Sequence, residues 1–198
     1  MKSKVISHFV AIAALCATAA AAVETGAEAP GFTLADTNGN EHSLSDFEGK
    51  FVVLEWLNHG CPFVVRHYES GNLPALQEKY TEDGAVWLSI VSSAPGKQGH
   101  HPPEKANALT EEKGAKPTAV LLDESGDVGR AYGAKTTPHI YIIDPDGELI
   151  YQGAIDSAPR GGDPSEVTCY VTTSLDAAMA GDPVPVGTTK PYGCSVKY

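Results

Sequence analysis

Residues 51–57, Phe-Val-Val-Leu-Glu-Trp-Leu, form a nearly continuous apolar run, and Cys61-Pro62 follows within one turn's length. A run of this kind, without polar alternation, suits a strand buried on both faces of a parallel sheet. Ala85–Val91 is a second such run. Pro62 to Tyr80, between them, reads as helix, with Gly71 and Pro74 predicting a kink or a restart. Two fully buried strands joined by a helical crossover already imply a layered α/β domain.

The rest of the chain extends that pattern. Ala29–Leu34 reads as a short extended entry, Asp36–Asn40 as a turn carrying Asn-Gly, and Ser43–Phe47 as a helical turn. Ser92–Pro103 is a loop, Glu104–Lys113 a helix, Ala119–Leu122 a strand and Val128–Tyr132 a helical turn. His139–Ile143, the turn Asp144–Gly147 and Glu148–Gln152 make a hairpin. A last helix is expected near Ser174–Met179, and Val184–Tyr198 shows no periodicity. The expected fold is therefore α/β, with a mixed central sheet flanked by helices, an N-terminal extension and an irregular C-terminal tail.

Met1–Ala22 has its own character. Lys2 and Lys4 precede the apolar run Val5–Cys16, and four alanines follow at 19–22. This is the pattern of a secretory signal peptide cleaved near Ala22, and the run is short for a membrane span. Cys16 is h-region filler, since Leu15 stands where lipoprotein processing needs a small residue. The chain is thus read as leader 1–22, domain 23–183 and tail 184–198, periplasmic or secreted, with no membrane span after cleavage. Loss of the two lysines takes the net charge from −11 to −13. Such acidity argues against nucleic acid and anionic membranes as partners. Oligomeric state is not legible.

Cys61 stands where a strand gives way to a helix N-terminus. Unpaired N–H groups and the positive end of the helix dipole there stabilise a thiolate. Pro62 suits the first helical position. With the leader removed, three cysteines remain, Cys61, Cys169 and Cys194, so one is unpaired or cycles.

Three segments resemble the thioredoxin superfamily, in particular its peroxiredoxin-like, AhpC/TSA-type redoxin branch. They are Gly26–Leu34 with Leu44–Lys50, Val53–Cys61, and Thr136–Asp144. The ending Lys190–Tyr198 resembles a C-terminal signature of one redoxin subgroup. The resemblance implies a thioredoxin-like fold and thiol chemistry at Cys61, without an organic cofactor. It also implies a cis Thr137–Pro138 bond opposite Cys61, presenting backbone to a substrate. In that superfamily a buried acid at the position of Glu55 shuttles protons; its other reading is an outward carboxylate paired with a lysine such as Lys50.

The departures are as telling. The segment Cys61-Pro-Phe-Val64 lacks the second cysteine of C-x-x-C, and Asn58 stands where a peroxiredoxin carries Thr or Ser. Cys194 is then the candidate to resolve an adduct on Cys61, if the tail is free to bring it there. A permanent Cys61–Cys194 or Cys169–Cys194 staple is the alternative. Arg66 could stabilise the thiolate or an anion, or lie at the surface with His67. Cys169 reads as a spare thiol at the start of the last helix.

Two functional readings follow. In the first, Cys61 attacks a disulfide or a peroxide, and the partners are an external thiol reductant or a disulfide-bearing protein. In the second, Cys61 is locked in a disulfide and the cleft at Pro138 is a non-catalytic binding module. Metal binding through Cys61 and His59, or through His100-His101, lacks spaced third ligands, and Asp144–Gly147 lacks the later ligands of a calcium loop.

Overall fold

The computed structural model describes residues 22–163 and 165–198. The leader-like segment lies outside the described residues apart from Ala22.

A five-stranded mixed sheet forms the centre. β3 (Val52–Trp56) is its middle strand, parallel to β4 (Val86–Val91), which is parallel to β5 (Ala119–Leu122). On its other side β3 runs antiparallel to β7 (His139–Ile143), and β7 is antiparallel to β8 (Leu149–Gly153). The order is β5-β4-β3-β7-β8. Every residue of β3, β4 and β7 is buried, which is why these runs show no alternation.

Alternate residues of each strand build separate cores on the two faces. On one face Val53, Trp87, Ile140, Ile142 and Tyr151 pack with Val64, Tyr68, Leu73, Tyr80 and Leu175. These come from α1 (Pro62–Glu69), α2 (Asn72–Glu82) and α5 (Tyr170–Met179). The other face packs Leu54, Trp56, Leu88, Leu121 and Tyr141 against Tyr132 of α4 (Asp127–Tyr132) and Phe32 of the N-terminal entry. That entry forms a hairpin, β1 (Thr33–Ala35) with β2 (Glu41–Ser43), followed by a 3₁₀ turn at Leu44–Phe47. α3 (Pro103–Glu112) links β4 to β5.

The expected restart in 62–80 is present. α1 ends at Glu69 with Ser70 as its C-cap, and α2 begins after Gly71, whose φ of 74° lies in the left-handed region. The last helix begins four residues earlier than its periodicity suggests, at Tyr170 with Cys169 as N-cap. Val171 and Leu175 are both buried, and Thr172 and Thr173 between them mask the apolar face in the sequence.

The tail departs most from expectation. It is irregular over most of its length but not conformationally free. Gln152 donates from its backbone N–H to the Gly187 carbonyl, and the Thr189 hydroxyl lies 2.6 Å from the Tyr151 hydroxyl. Cys194 and Ser195 then form β9, antiparallel to β6 (Thr136–Thr137), with Cys194 opposite Thr137. Beyond it, Tyr198 donates to the Ala134 carbonyl at 2.8 Å and its ring lies under the Arg130 guanidinium. Pro and Gly discourage regular structure along a chain, but a two-residue edge strand needs only backbone groups, so sequence periodicity does not announce it.

Candidate active site at the start of α1

Asn58, His59 and Gly60 carry the chain from β3 into α1. The Asn58 carbonyl accepts the Cys61 N–H at 2.9 Å, and its side-chain Oδ1 accepts the Gly60 N–H at 2.9 Å. Its Nδ2 donates to the Gln98 carbonyl, and Gly99 packs so close that a Cβ there would overlap the Asn58 amide. Asn58 is therefore used in shaping the turn, its amide committed to Gly60 and Gln98. Cys61 is the N-cap of α1 and Pro62 its first residue, as expected.

Cys61 has no solvent exposure. Its Sγ donates to the Thr137 carbonyl at 2.9 Å, and the Cys194 thiol stands within hydrogen-bonding reach. Burial by itself pushes the Cys61 thiol up. The Cys194 side chain, the Val64 and Cys194 backbone N–H groups and the Thr137 hydroxyl act the other way, and the net position is below the ordinary thiol value. Cys194 moves oppositely, up to about 11, through burial and then through its hydrogen bond to Cys61 and the charge that Cys61 carries. The two sulfurs are thus an unequal pair.

The peptide bond between Thr137 and Pro138 is cis. Thr137 is 2 % exposed, and while the Cys61 thiol keeps its proton the buried Thr137 hydroxyl has no hydrogen-bond partner among the described residues. An orphaned buried hydroxyl costs on the order of 1–3 kcal/mol. Ionising Cys61 supplies the missing acceptor. Thr137→Val is expected to raise the Cys61 pKa, because the hydroxyl that favours the thiolate is gone. Thiolate absorbance against pH, in a Cys169→Ser, Cys194→Ser background, reads the shift; an unchanged midpoint would remove the hydroxyl from the site.

Glu55 is fully buried. Its carboxyl accepts from Trp87 Nε1 (2.8 Å), Gln77 Nε2 (3.0 Å), the Tyr68 hydroxyl (3.0 Å) and the Ser89 hydroxyl (3.2 Å). The outward pairing with Lys50 is thereby ruled out. Burial raises its pKa, with Trp87, Gln77, Tyr68 and Ser89 opposing. None of its four partners is Cys61.

Arg66 also turns away from Cys61. Its guanidinium donates to the Pro159 and Ala158 carbonyls (2.7 and 3.1 Å) and to the Tyr192 hydroxyl (3.3 Å). The reading of Arg66 as thiolate stabiliser is corrected to an anchor for the 158–159 loop and the tail. The buried His67 joins it, with Nε2 at 2.9 Å from the Tyr192 hydroxyl, which itself donates to Asp156 at 2.5 Å. The Tyr192 ring also lies 5.8 Å from that of Phe63. Tyr192, His67 and Asp156 hold the residue two before Cys194, a role that sequence reasoning missed. The only signal was an aromatic beside Gly193 and Cys194 in an otherwise featureless tail.

Among the described residues no group of three metal-ligating side chains is assembled. His100 contacts Glu124 instead. No described helix is long and apolar enough to cross a membrane.

Comparison with known proteins bears on the fold and the family. The thiol-disulfide oxidoreductase ResA of Geobacillus kaustophilus is 28% identical over 128 residues, 65% of this chain and 68% of that protein. The crystal structure of an uncharacterized conserved protein from the same species superposes with a TM-score of 0.79 at 32% identity, covering 88% of this chain and 92% of that one. The thioredoxin domain of a thiol-disulfide oxidoreductase from Bacteroides vulgatus superposes at 0.53 with 25% identity, over 66% of this chain and 89% of that one. The fold is thus thioredoxin-like. A model of the AhpC/TSA family matches residues 25–152, which include Cys61 and stop short of Cys194. The chain belongs to the AhpC/TSA family.

Proposed function

We propose that this protein is a thiol–disulfide oxidoreductase whose redox pair is Cys61 and Cys194. The observation that carries the reading is the strand pairing that sets Cys194 opposite Thr137, beside the thiol at the head of α1. The tail thereby supplies the second thiol that Cys61-Pro-Phe-Val64 lacks. The relatives named as thiol-disulfide oxidoreductases support the same reaction class. Peroxide reduction has less support, because the Asn58 amide is committed to Gly60 and Gln98. The leader-like segment 1–22 supports export, to a compartment where such exchange has protein disulfides as substrates.

Disulfide mapping across a series of glutathione redox buffers tests the pair. The expected result is a reversible Cys61–Cys194 bridge that forms equally well in Cys169→Ser. The total burial of Cys61 favours one rival, the binding module with a permanent staple at the same two residues. A bridge that glutathione fails to reduce in the folded protein would favour that rival, and a Cys61 that never pairs would sink both.

A further inference from the structure

We propose that partners of this protein exchange disulfides with Cys194, the tail cysteine, and that Cys61 acts behind it as an internal partner that no substrate sulfur touches. The inference rests on the redox-pair reading above and assigns the point of entry to it.

The two sulfurs differ first in access. Thiol–disulfide exchange needs the attacking, central and leaving sulfurs nearly in line, so the attacked sulfur must have an open side. Cys61 has none, being completely buried with its Sγ against the Thr137 carbonyl and the Cys194 thiol. Cys194 keeps partial exposure, and its neighbour Ser195 is exposed. The cover is anchored on both sides. Tyr192 is held by Asp156 and His67, and Val196 donates from its backbone N–H to the Lys135 carbonyl at 3.1 Å. A partner therefore meets Cys194 first while the tail stays in place.

Leaving-group chemistry points the same way. A partner thiolate attacking Cys194 Sγ forms a new S–S bond there. The Cys61–Cys194 bond breaks, and its electron pair stays on Cys61 Sγ. Val64 N–H, Cys194 N–H and the Thr137 hydroxyl stabilise charge on that sulfur. A lower-pKa thiol leaves faster, whereas attack on Cys61 would have to expel Cys194, which holds its proton up to about 11. The partner's second thiolate then attacks its own bonded sulfur and releases Cys194, which takes a proton from water. The partner dithiol has become a disulfide and the protein pair a dithiol. Run backwards, the same steps reduce a partner disulfide: the mixed disulfide again sits on Cys194, and Cys61 thiolate resolves it. The substrate class is a cysteine-bearing protein segment that reaches a surface edge, with no demand that it enter the fold.

The test uses the full chain and glutathione as the probe. The oxidised wild type is mixed with reduced glutathione, quenched in acid, and the adduct is located by mass spectrometry. Glutathione on Cys194 in excess over Cys61 by at least about tenfold is the expected result. Cys61→Ser and Cys194→Ser, each in a Cys169→Ser background, are then challenged with glutathione disulfide, with near-ultraviolet circular dichroism checking the fold. Cys61→Ser, which frees Cys194 of the hydrogen bond and charge that hold its proton, should be modified faster than Cys194→Ser by about tenfold or more, because serine at 194 still covers Cys61. Adducts mainly on Cys61, or equal modification of the two folded variants, would overturn the inference and leave the redox-pair reading intact. Failure of the wild type to form any Cys61–Cys194 bridge would remove that reading and this inference together.

Discussion

Replacing Glu55 by leucine is expected to destabilise the protein by about 3 kcal/mol or more, the largest loss from any single polar residue of the site. Leucine fills the space but leaves the Trp87, Gln77, Tyr68 and Ser89 donors facing an apolar group in a fully buried setting. Each orphaned buried donor costs roughly 1–3 kcal/mol, partly offset because a desolvated carboxyl has also been removed. Glu55→Gln should lose about 1 kcal/mol, since its amide oxygen still accepts and its amide nitrogen can meet the Tyr68 oxygen. Urea denaturation reads the difference as a lower midpoint at unchanged slope. Equal midpoints for Glu55→Leu and the wild type would refute the network.

The same pair of proteins carries a pH dependence of known sign. Burial raises the folded pKa of Glu55 above its ordinary 4.5, so the native state binds the extra proton between 4.5 and the raised value. Stability from this group is fully present below 4.5 and declines as pH rises through that window. His67 works oppositely. Burial holds it down to about 4, so its contribution is lost as pH falls from 6.5 towards 4. Subtracting the Glu55→Gln curve from the wild-type curve isolates Glu55. The difference should fall with rising pH, and a rising difference would mean that Glu55 is charged in the fold at low pH.

Gly193→Ala is expected to dislodge the tail. Gly193 has φ 143°, and a Cβ there would overlap the Thr137 carbonyl. Backbone of this kind costs a non-glycine residue about 1–3 kcal/mol, and the overlap removes the closed geometry itself. A weakening of roughly 2–3 kcal/mol corresponds to a fall in tail docking of about thirtyfold to about 150-fold. Alkylation of Cys61 should accelerate by a similar factor, and Cys61–Cys194 closure should slow. Gly181→Ala is the control, since Gly181 also has a positive φ but opens on empty space at the end of α5. Unchanged Cys61 protection in Gly193→Ala would show that something other than β9 covers the thiol.

These predictions divide along the line between local and assembled information. The sequence by itself determined the buried strands at 52–56, 86–91 and 139–143, because burial on both faces leaves an unbroken apolar run. It also determined the break at Gly71 and the place of Cys61, because helix starts and stops are written in neighbouring residues. Glu55 was legible as an anomaly in an apolar strand, but its four donors come from α1, α2 and β4, which meet only when the sheet is packed. The spacing of Arg66 along α1 left it open between the thiol and the surface, and the 158–159 loop, distant in sequence, claims it. Cys194 is the clearest case. Its strand is held by main-chain hydrogen bonds and by Tyr192 and Tyr198, none of which leaves a side-chain period. Side-chain pattern reports which face a residue turns to the core, whereas the meeting of the two thiols depends on backbone pairing between segments far apart in the chain, and only the tertiary structure decided that.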